Sequence, residues 1–307
     1  MKTLRIKQIA IVAVIATVTI LPLQAHESKH KLEYPGYRPP TEQAAIFVQQ
    51  VASSKIAVFP SIVRAVNPAE NKVSQWHSKV ALDRIVEFLG ENHLGTAEIA
   101  KIELKMDEAS KGGQFAVFNQ TIETIAGQLD GYTGDADYIL VFDIIRVRMR
   151  AWGIQCYILD RKGENVFSFL LNSHHKPFVD AAIKMEDGSK ESGKKLVAEC
   201  TELALESLHQ QVHMERDIAA YKPDPAIAGK YIGKENPATN HIILKSDGSF
   251  EVADEGHHAE GTYAVVGGNA LILIMDGQRL PAGRFENGKL ITSEGETLNK
   301  TGARQQR

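Results

Sequence analysis

The stretch ADYILVFDIIRVRMRAW, residues Ala136–Trp152, decides the fold prediction for the larger part of the chain. Its first half is continuously apolar, and its second half alternates between apolar side chains and arginines. The alternating residues are Ile145, Val147 and Met149 on one face and Arg146, Arg148 and Arg150 on the other. A period of two is typical of a β-strand with one buried face, so we predict a single strand here. We interpret the arginine row as a solvated sheet face with acidic neighbours; a surface for an acidic partner is the alternative.

Periodicity on either side of this strand predicts alternating helices and strands. Spacings of three and four apolar residues indicate helices, and β-branched or alternating runs indicate strands. The predicted helices are 42–53, 73–90, 114–131 and 192–212, and the predicted strands are 55–63, 98–106, 136–152 and two within 153–173. This order predicts a mixed sheet with helices packed on it, in an α/β domain over residues 42–220.

The stretch YKPDPAIAG, beginning at Tyr221, marks a domain boundary, because Pro223 and Pro225 cannot continue a helix. We predict a Pro-rich linker over 221–228, then an antiparallel meander over 229–300 that closes into a small barrel or sandwich, and a disordered tail over 301–307. Turn dipeptides separate its short strands. They are Asp247-Gly248, Gly267-Gly268, Asp276-Gly277 and Asn287-Gly288. The predicted fold class is therefore α+β, with an α/β domain followed by a small β module.

The amino terminus has the composition of a secretory signal peptide over residues 1–25. Lys2, Arg5 and Lys7 precede an apolar run over 9–23, which is shorter than the roughly 20 residues that span a bilayer. We predict cleavage between Ala25 and His26, an extended lead over 26–41, and a periplasmic or secreted protein without an integral membrane segment.

Removing the signal peptide would change the formal net charge from −3 to −6, because three positive charges leave with it. The remaining lysines and arginines are scattered rather than clustered. The expected footprint of a nucleic-acid-binding protein is a concentrated basic patch, so we predict no nucleic-acid partner.

Two segments of the sequence resemble known families. The segments KIAVFP, IAGQLDGYTG and ADYILVFDI, within residues 42–213, resemble exported α/β domains of the TolB amino-terminal and CsgG-like type. That resemblance implies a scaffold, assembly or regulatory module of the cell envelope, with no catalytic residues to carry over. The succession GKYIG, LKSDGSFEV and GTYAVVGGNALILI resembles lipocalin-like modules of exported bacterial proteins, which implies a fold rather than an activity.

The stretch DEGHHAEG, residues 254–261, poses the question of a metal site. We interpret it as a polar turn between two strands and predict no metal. The alternative is Zn²⁺ or Cu²⁺ held by His257, His258 and a carboxylate among Asp254, Glu255 and Glu260. Adjacent histidines can share an ion only in a loop. Other histidine pairs, His174–His175 and His209–His213, are interpreted as a polar strand exit and a helix surface.

Cys156 and Cys200 are the only cysteines in the chain, and both fall on predicted inward faces. In an exported protein they could form a disulfide. Closing a loop of 45 residues (200 − 156 + 1) would stabilise the fold by roughly 4 kcal/mol. Two buried free thiols are the alternative, and the sequence leaves both open.

The sequence contains no nucleophile elbow, phosphate-binding glycine loop or dinucleotide fingerprint. We therefore expect a non-enzymatic interaction or assembly module without a cofactor, whose partner is another envelope protein or a second copy. One alternative is a small apolar ligand enclosed by the β module, and another is an enzyme of unknown class. The predicted interior of the β module is Ile243, Phe250, Tyr263, Leu271 and Leu273.

Overall fold

The computed structural model describes residues 36–37, 42–67, 72–105, 114–233, 241–254, 257–275, 278–293 and 295–301. The predicted signal peptide, with its cleavage between Ala25 and His26, lies outside the described residues, as do residues 302–307. The chain divides into two compact units, one ending at His213 and the other running from Met214. The fold is α+β, with a mixed sheet and helices in the first unit and a closed β-barrel in the second.

The first unit contains eight strands and most of the helical residues in the described part of the chain. In chain order the elements are β1 (Gly36–Tyr37), α1 (Glu42–Gln50), β2 (Lys55–Val58), β3 (Ser61–Asn67), β4 (Lys72–Ser78), α2 (Leu82–Glu91), β5 (Thr96–Ile99), α3 (Gln114–Ala126), β6 (Tyr138–Val147), β7 (Arg150–Asp160), β8 (Asn165–Asn172), α4 (Lys176–Ala181) and α5 (Lys190–Ala220). Residues 214–220 of α5 belong to the second unit.

Strand β6 is the centre of the sheet. On one side β7, β8 and β1 follow it in antiparallel order. On the other side β2 runs parallel to the start of β6 and β3 runs parallel to its end. Beyond these, β5 pairs with β2 and β4 pairs with β3. Both parallel and antiparallel neighbours are present, so the predicted mixed sheet is confirmed.

Four predicted elements of this unit are wrong. The strand over 55–63 is divided into β2 and β3, and the strand predicted over 98–106 is β5, which ends at Ile99. The single strand over 136–152 is a hairpin, because Arg148 and Met149 form a two-residue turn between β6 and β7. Arg148 has a left-handed backbone (φ 53°), which lets the chain reverse there. The helix over 73–90 begins only at Leu82, and Lys72–Ser78 is strand β4. Val73, Trp76 and Val80 have helical spacing, yet Val73 and Trp76 pair with β3, opposite Val66 and Val63.

Each face of the sheet carries its own core. One face packs against α1, α2 and α5, and the other against α3. Cys156 of β7 and Cys200 of α5 lie in the first core as free thiols, and burial raises the pKa of both. Of the two alternatives that the sequence leaves open, a disulfide and two buried free thiols, this structure has the free thiols. Both thiols pack as small apolar groups and are not bonded to each other.

The second unit is an eight-stranded antiparallel barrel, so of the two predicted forms the barrel is confirmed. Its strands are β9 (Gly229–Ile232), β10 (His241–Leu244), β11 (Ser249–Asp254), β12 (His257–Val266), β13 (Ala270–Met275), β14 (Gln278–Glu286), β15 (Lys289–Thr292) and β16 (Thr297–Thr301). Neighbours in sequence pair with each other, and β16 closes on β9. Asn287 and Gly288 both have positive φ, as a tight hairpin turn requires.

The end of α5 covers the outside of this barrel. Met214 packs with Val266 and Ile272, and Ile218 joins the same cluster. Arg279 of β14 donates two hydrogen bonds to Glu215, at 2.8 and 2.9 Å. Within the described residues, no helix is both long and apolar enough to cross a lipid bilayer.

Candidate functional site

The predicted metal candidates lie in a strand rather than in a turn. Strand β11 ends at Asp254 and β12 begins at His257, so only residues 255–256 connect them. The turn prediction is wrong for His258 and Glu260, whose exposed side chains are two residues apart along β12. The described residues include no group of three or more His, Cys, Asp or Glu placed to hold a metal ion.

The side chains of the other two histidine pairs make contacts within the fold. His175 is buried, and its Nδ1 accepts a hydrogen bond from the backbone N–H of Asn172 (3.0 Å) at the exit of β8. His174 is exposed. The rings of His209 and His213 stack edge to face, with centroids 4.3 Å apart on α5. The polar-exit interpretation is thus wrong for His175, whose imidazole is part of the folded turn.

A buried ion pair under α3 is the strongest electrostatic feature of the first unit. Arg64 of β3 donates from both Nε and Nη2 to the carboxylate of Asp143 on β6, with Nε at 3.0 Å from Oδ1. The same Nη2 donates to Thr121 of α3. Gln155 and Tyr157 of β7 are fully buried beside it, and the Tyr157 hydroxyl donates to Gln155 Oε1.

Each ion of this pair changes the pKa of the other. Burial raises the pKa of the Asp143 carboxyl, and Arg64 opposes that rise. Burial lowers the pKa of Arg64, but the Asp143 carboxylate and Tyr157 together outweigh burial and leave the pKa raised. A pair with so little access to solvent fixes the position of α3 on the sheet and is poorly placed to meet a substrate. Sequence reasoning missed it, because Arg64 and Asp143 are 79 residues apart.

A surface cleft of about 620 Å³ lies at the start of α5, where its charged side chains pair with one another. Lys195 pairs with Glu186, and Lys194 with Glu191 (3.0 Å). The Glu186 carboxylate raises the pKa of Lys195. Neither Arg64 nor Asp143 lines this cleft, so the cleft and the buried ion pair are separate features.

The interior of the barrel is filled by its own side chains. Phe250, Tyr263, Leu271 and Leu273 are buried there, as predicted. The prediction for Ile243 is wrong by one residue, because Ile242 and Leu244 point inward instead. The other buried members of this core are Tyr231, Val252, Met275, Ala282, Leu290 and Leu298.

No protein-family model matches this chain, and no curated protein does.

The end of the sheet opposite β5 exposes an unusual set of side chains. We call it the sheet tip: Val73–Trp76 of β4, residues 65–67 of β3, Arg146–Trp152 of the β6–β7 hairpin, and Lys184. Three large apolar side chains there are exposed: Val73 by 39%, Trp76 by 40% and Trp152 by 43%. The chain has only two tryptophans, and both lie at this tip.

Strand register aligns the residues of the tip. One row across the sheet contains Val73, Val66, Val147 and Arg150, and a bridge to Lys184 extends it. Val66 and Val147 are half-buried, and Arg150 and Lys184 are exposed. Trp152 is the extra residue of a β-bulge between the pairs Ile145–Gly153 and Arg146–Ala151. A bulge is a common way to re-aim a side chain at a functional surface.

The tip is basic. The guanidinium of Arg146 lies over the ring of Trp76, 5.3 Å from its centroid, and donates to the carbonyl of Arg148 (2.7 Å). Arg148 and Arg150 are exposed on the same hairpin. The arginine row predicted on one strand is thus present at this tip, distributed over two strands and a turn. The sequence could have pointed here, since exposed tryptophans beside arginines are enriched at protein interfaces.

Proposed function

We propose that the protein is an exported, non-enzymatic module of the cell envelope that docks a partner protein through the sheet tip of its α/β unit. The observation that carries the proposal is the exposure of Val73, Trp76 and Trp152 at one end of the sheet. Large aromatic side chains beside arginines supply most of the binding energy in many protein interfaces.

Export is part of the proposal because of the amino-terminal sequence. Lys2, Arg5 and Lys7, followed by the apolar run 9–23, have the arrangement of a secretory signal. Fractionation of the native host cells and sequencing of the amino terminus test it. We expect the mature chain in the periplasm or medium, beginning at His26. A chain that starts at Met1 in the cytoplasm would contradict this part.

The barrel is the less favoured place for a function. An apolar ligand inside it would have to displace buried side chains such as Phe250, Tyr263 and Leu271. A barrel of eight strands is just wide enough to be filled by its own side chains. The barrel interior therefore has the composition of a core.

Site-specific photocrosslinking tests the docking surface. A benzophenone amino acid at Val73 places a reactive group at the tip, and the same amino acid at Ile99 provides a control of equal exposure (39%) on strand β5. We expect a discrete protein adduct from Val73 in native host cells and none of the same mass from Ile99. Equal adducts from both positions, or none from Val73, would remove the basis for docking at the tip.

A further inference from the structure

We propose that His209 and His213 of α5 form a surface site for one divalent ion of a late transition metal, with Cu²⁺ bound more tightly than Zn²⁺. The inference is independent of the proposed docking function, because it uses none of the residues of the sheet tip. Two features carry it: the separation of the two imidazole rings, and the negative charge on the surface beside them.

The two histidines lie about one turn apart on the same side of α5. They are four residues apart, and an α-helix makes a turn in 3.6 residues, so their side chains are neighbours. Their ring centroids are 4.3 Å apart. An imidazole nitrogen binds Zn²⁺ at about 2.0–2.1 Å, so two rings on one ion have centroids roughly 4.5–5 Å apart. The observed separation is close to that distance. Because the rings are inclined at 71°, they must rotate to turn one nitrogen of each toward a shared ion.

The surroundings of the pair allow an ion to enter and support one of the rings. His213 is exposed and His209 is half-buried. The His209 ring lies edge to face with Phe88 of α2, with centroids 6.2 Å apart. A ligand that is held by packing loses less freedom when the ion binds. His209 has a further interaction within the chain. Coordination uses one nitrogen of each ring and leaves the other for such contacts.

The surface next to Phe88 carries an excess of negative charge. The guanidinium of Arg84 lies 5.3 Å from the centroid of the Phe88 ring. It pairs with the carboxylates of Glu87, Glu91 and Glu202, at 3.3, 3.0 and 2.9 Å. One positive and three negative side chains give this group a formal net charge of −2. Negative charge on a surface raises the local concentration of cations, so it favours a metal ion at the neighbouring histidines.

The ligand set selects among cations. Imidazole is a good ligand for Cu²⁺, Ni²⁺ and Zn²⁺, whereas Mg²⁺ and Ca²⁺ prefer oxygen ligands. Among the described residues, no third His, Cys, Asp or Glu is placed to complete the site, so water would fill the remaining positions of the ion. Gln210 stands where the HExxH pattern of zinc proteases has its general base. The pair therefore has the ligands of that pattern without the base, which suits binding of an ion rather than hydrolysis.

Titration of the full chain with CuCl₂, ZnCl₂ and MnCl₂, after purification without a histidine tag, tests the site. Calorimetry gives the affinities, and the EPR spectrum of bound Cu²⁺ shows how many nitrogens coordinate it. The matched variant H213Q/Q210H keeps the number of histidines but places the second one directly beside His209, on another side of the helix. H257Q/H258Q removes the histidines of DEGHHAEG and controls for binding at β12.

We expect the wild type and H257Q/H258Q to bind Cu²⁺ through two nitrogens at this site. H213Q and H213Q/Q210H should bind that ion at least about tenfold more weakly, because the second ligand is lost or misplaced. Affinity should fall from Cu²⁺ to Zn²⁺ to Mn²⁺. Circular dichroism of each variant before titration checks that α5 is retained.

Three results would overturn the inference. The first is equal Cu²⁺ affinity in the wild type and H213Q/Q210H. The second is loss of the ion only in H257Q/H258Q, which would assign it to β12. The third is a wild-type Cu²⁺ spectrum without two coordinated nitrogens, or displacement of Cu²⁺ by Ca²⁺, which would indicate a carboxylate site. This third result does not depend on the folding of any variant.

Discussion

At the scale of single residues, the buried pair Arg64–Asp143 has the largest energetic consequence. Taking two charges out of water is unfavourable, and mutual attraction with added hydrogen bonds offsets that loss only when both partners are present. Arg64 has a further donor contact to Thr121 of α3, so the pair connects the helix to strands β3 and β6. Removing one partner should therefore be far more damaging than removing both.

Asp143→Asn leaves the Arg64 guanidinium buried without its counter-ion. We expect the free energy of unfolding to fall by about 3–5 kcal/mol, measured by urea denaturation. The double variant R64M/D143L should recover part of that loss. As a control, Glu202→Gln removes a half-exposed partner of Arg84 and should cost less than about 1 kcal/mol. A small effect of Asp143→Asn would mean that water reaches the pair.

His175 should make the stability of the first unit depend on pH. Burial, and then the neighbouring His174, lower the pKa of His175 from 6.5 to about 4. The unfolded chain therefore binds more protons than the folded chain between pH 6.5 and 4. Stability is complete above pH 6.5 and declines as pH falls through that window, by about 3 kcal/mol in total.

Unfolding measurements of the wild type, His175→Gln and His174→Gln from pH 7 to 4 test this dependence. His175→Gln should lose most of the pH-dependent decline, because it removes the titrating group. His174→Gln changes the exposed neighbour and should retain most of it. Equal pH dependence in the wild type and His175→Gln would assign the effect to other groups.

At the scale of elements, the β6–β7 hairpin tests whether Arg148 is retained for stability. Arg148→Gly relieves the left-handed backbone and keeps the carbonyl that Arg146 contacts. We expect it to stabilise the protein by about 1 kcal/mol in urea denaturation. Arg150→Gly, at the first residue of β7, should instead destabilise it, because glycine loses more conformational freedom on folding and there is no left-handed backbone to relieve at this position. If Arg148→Gly is destabilising, the strain argument fails.

The elements also show what local sequence can predict. Where turns carry glycine or asparagine, as at Asp247-Gly248 and Asn287-Gly288, the strands of the barrel follow from the sequence. The β6–β7 turn contains Arg148 and Met149, and the apolar alternation continues through it, so the reversal has no local signal. The prediction for strand β4 is wrong for a related reason. Val73, Trp76 and Val80 match a helical period, but pairing with β3 makes Val73 and Trp76 part of a strand.

The candidate site was predictable only in part. The arginine row and the possibility of an acidic partner follow from the alternation in 145–150. The convergence of Val73 and Trp76 with that row depends on β4 joining β3, which is a non-local pairing. Likewise the alternation of β10 places either Ile243 or its two neighbours inside the barrel, and only the closure of the barrel decides between them.

At the scale of the whole molecule, the division of the chain falls inside a helix. The two prolines after Tyr221 predict a boundary over 221–228, whereas the compact units divide between His213 and Met214. The physical reason is an apolar strip on the outside of the barrel, Val266 and Ile272, which the end of α5 covers. Tyr221 and Ile227 also pack against the barrel core, so the Pro-rich segment is part of the barrel unit.

This division predicts different stabilities for two fragments of the chain. The fragment 214–307 keeps Met214 and Ile218 over the barrel and the Glu215–Arg279 pair, and the fragment 221–307 loses all three contacts. Burying two large apolar side chains contributes about 3 kcal/mol, which corresponds to a Tm higher by more than about 10 °C in a unit of this size. We therefore expect the longer fragment to melt cooperatively and the shorter one to melt earlier or aggregate through its exposed valine and isoleucine.

Two variants of the longer fragment separate the contributions. Glu215→Ala removes only the ion pair, and M214S/I218S removes only the apolar cover. Burial of the apolar strip is the larger effect, so M214S/I218S should reproduce most of the difference in melting temperature between the two fragments. Glu215→Ala should reproduce a smaller part of it. Equal melting temperatures for the two fragments would place the boundary at Tyr221, as the prolines alone predict, and would reduce the end of α5 to a connector.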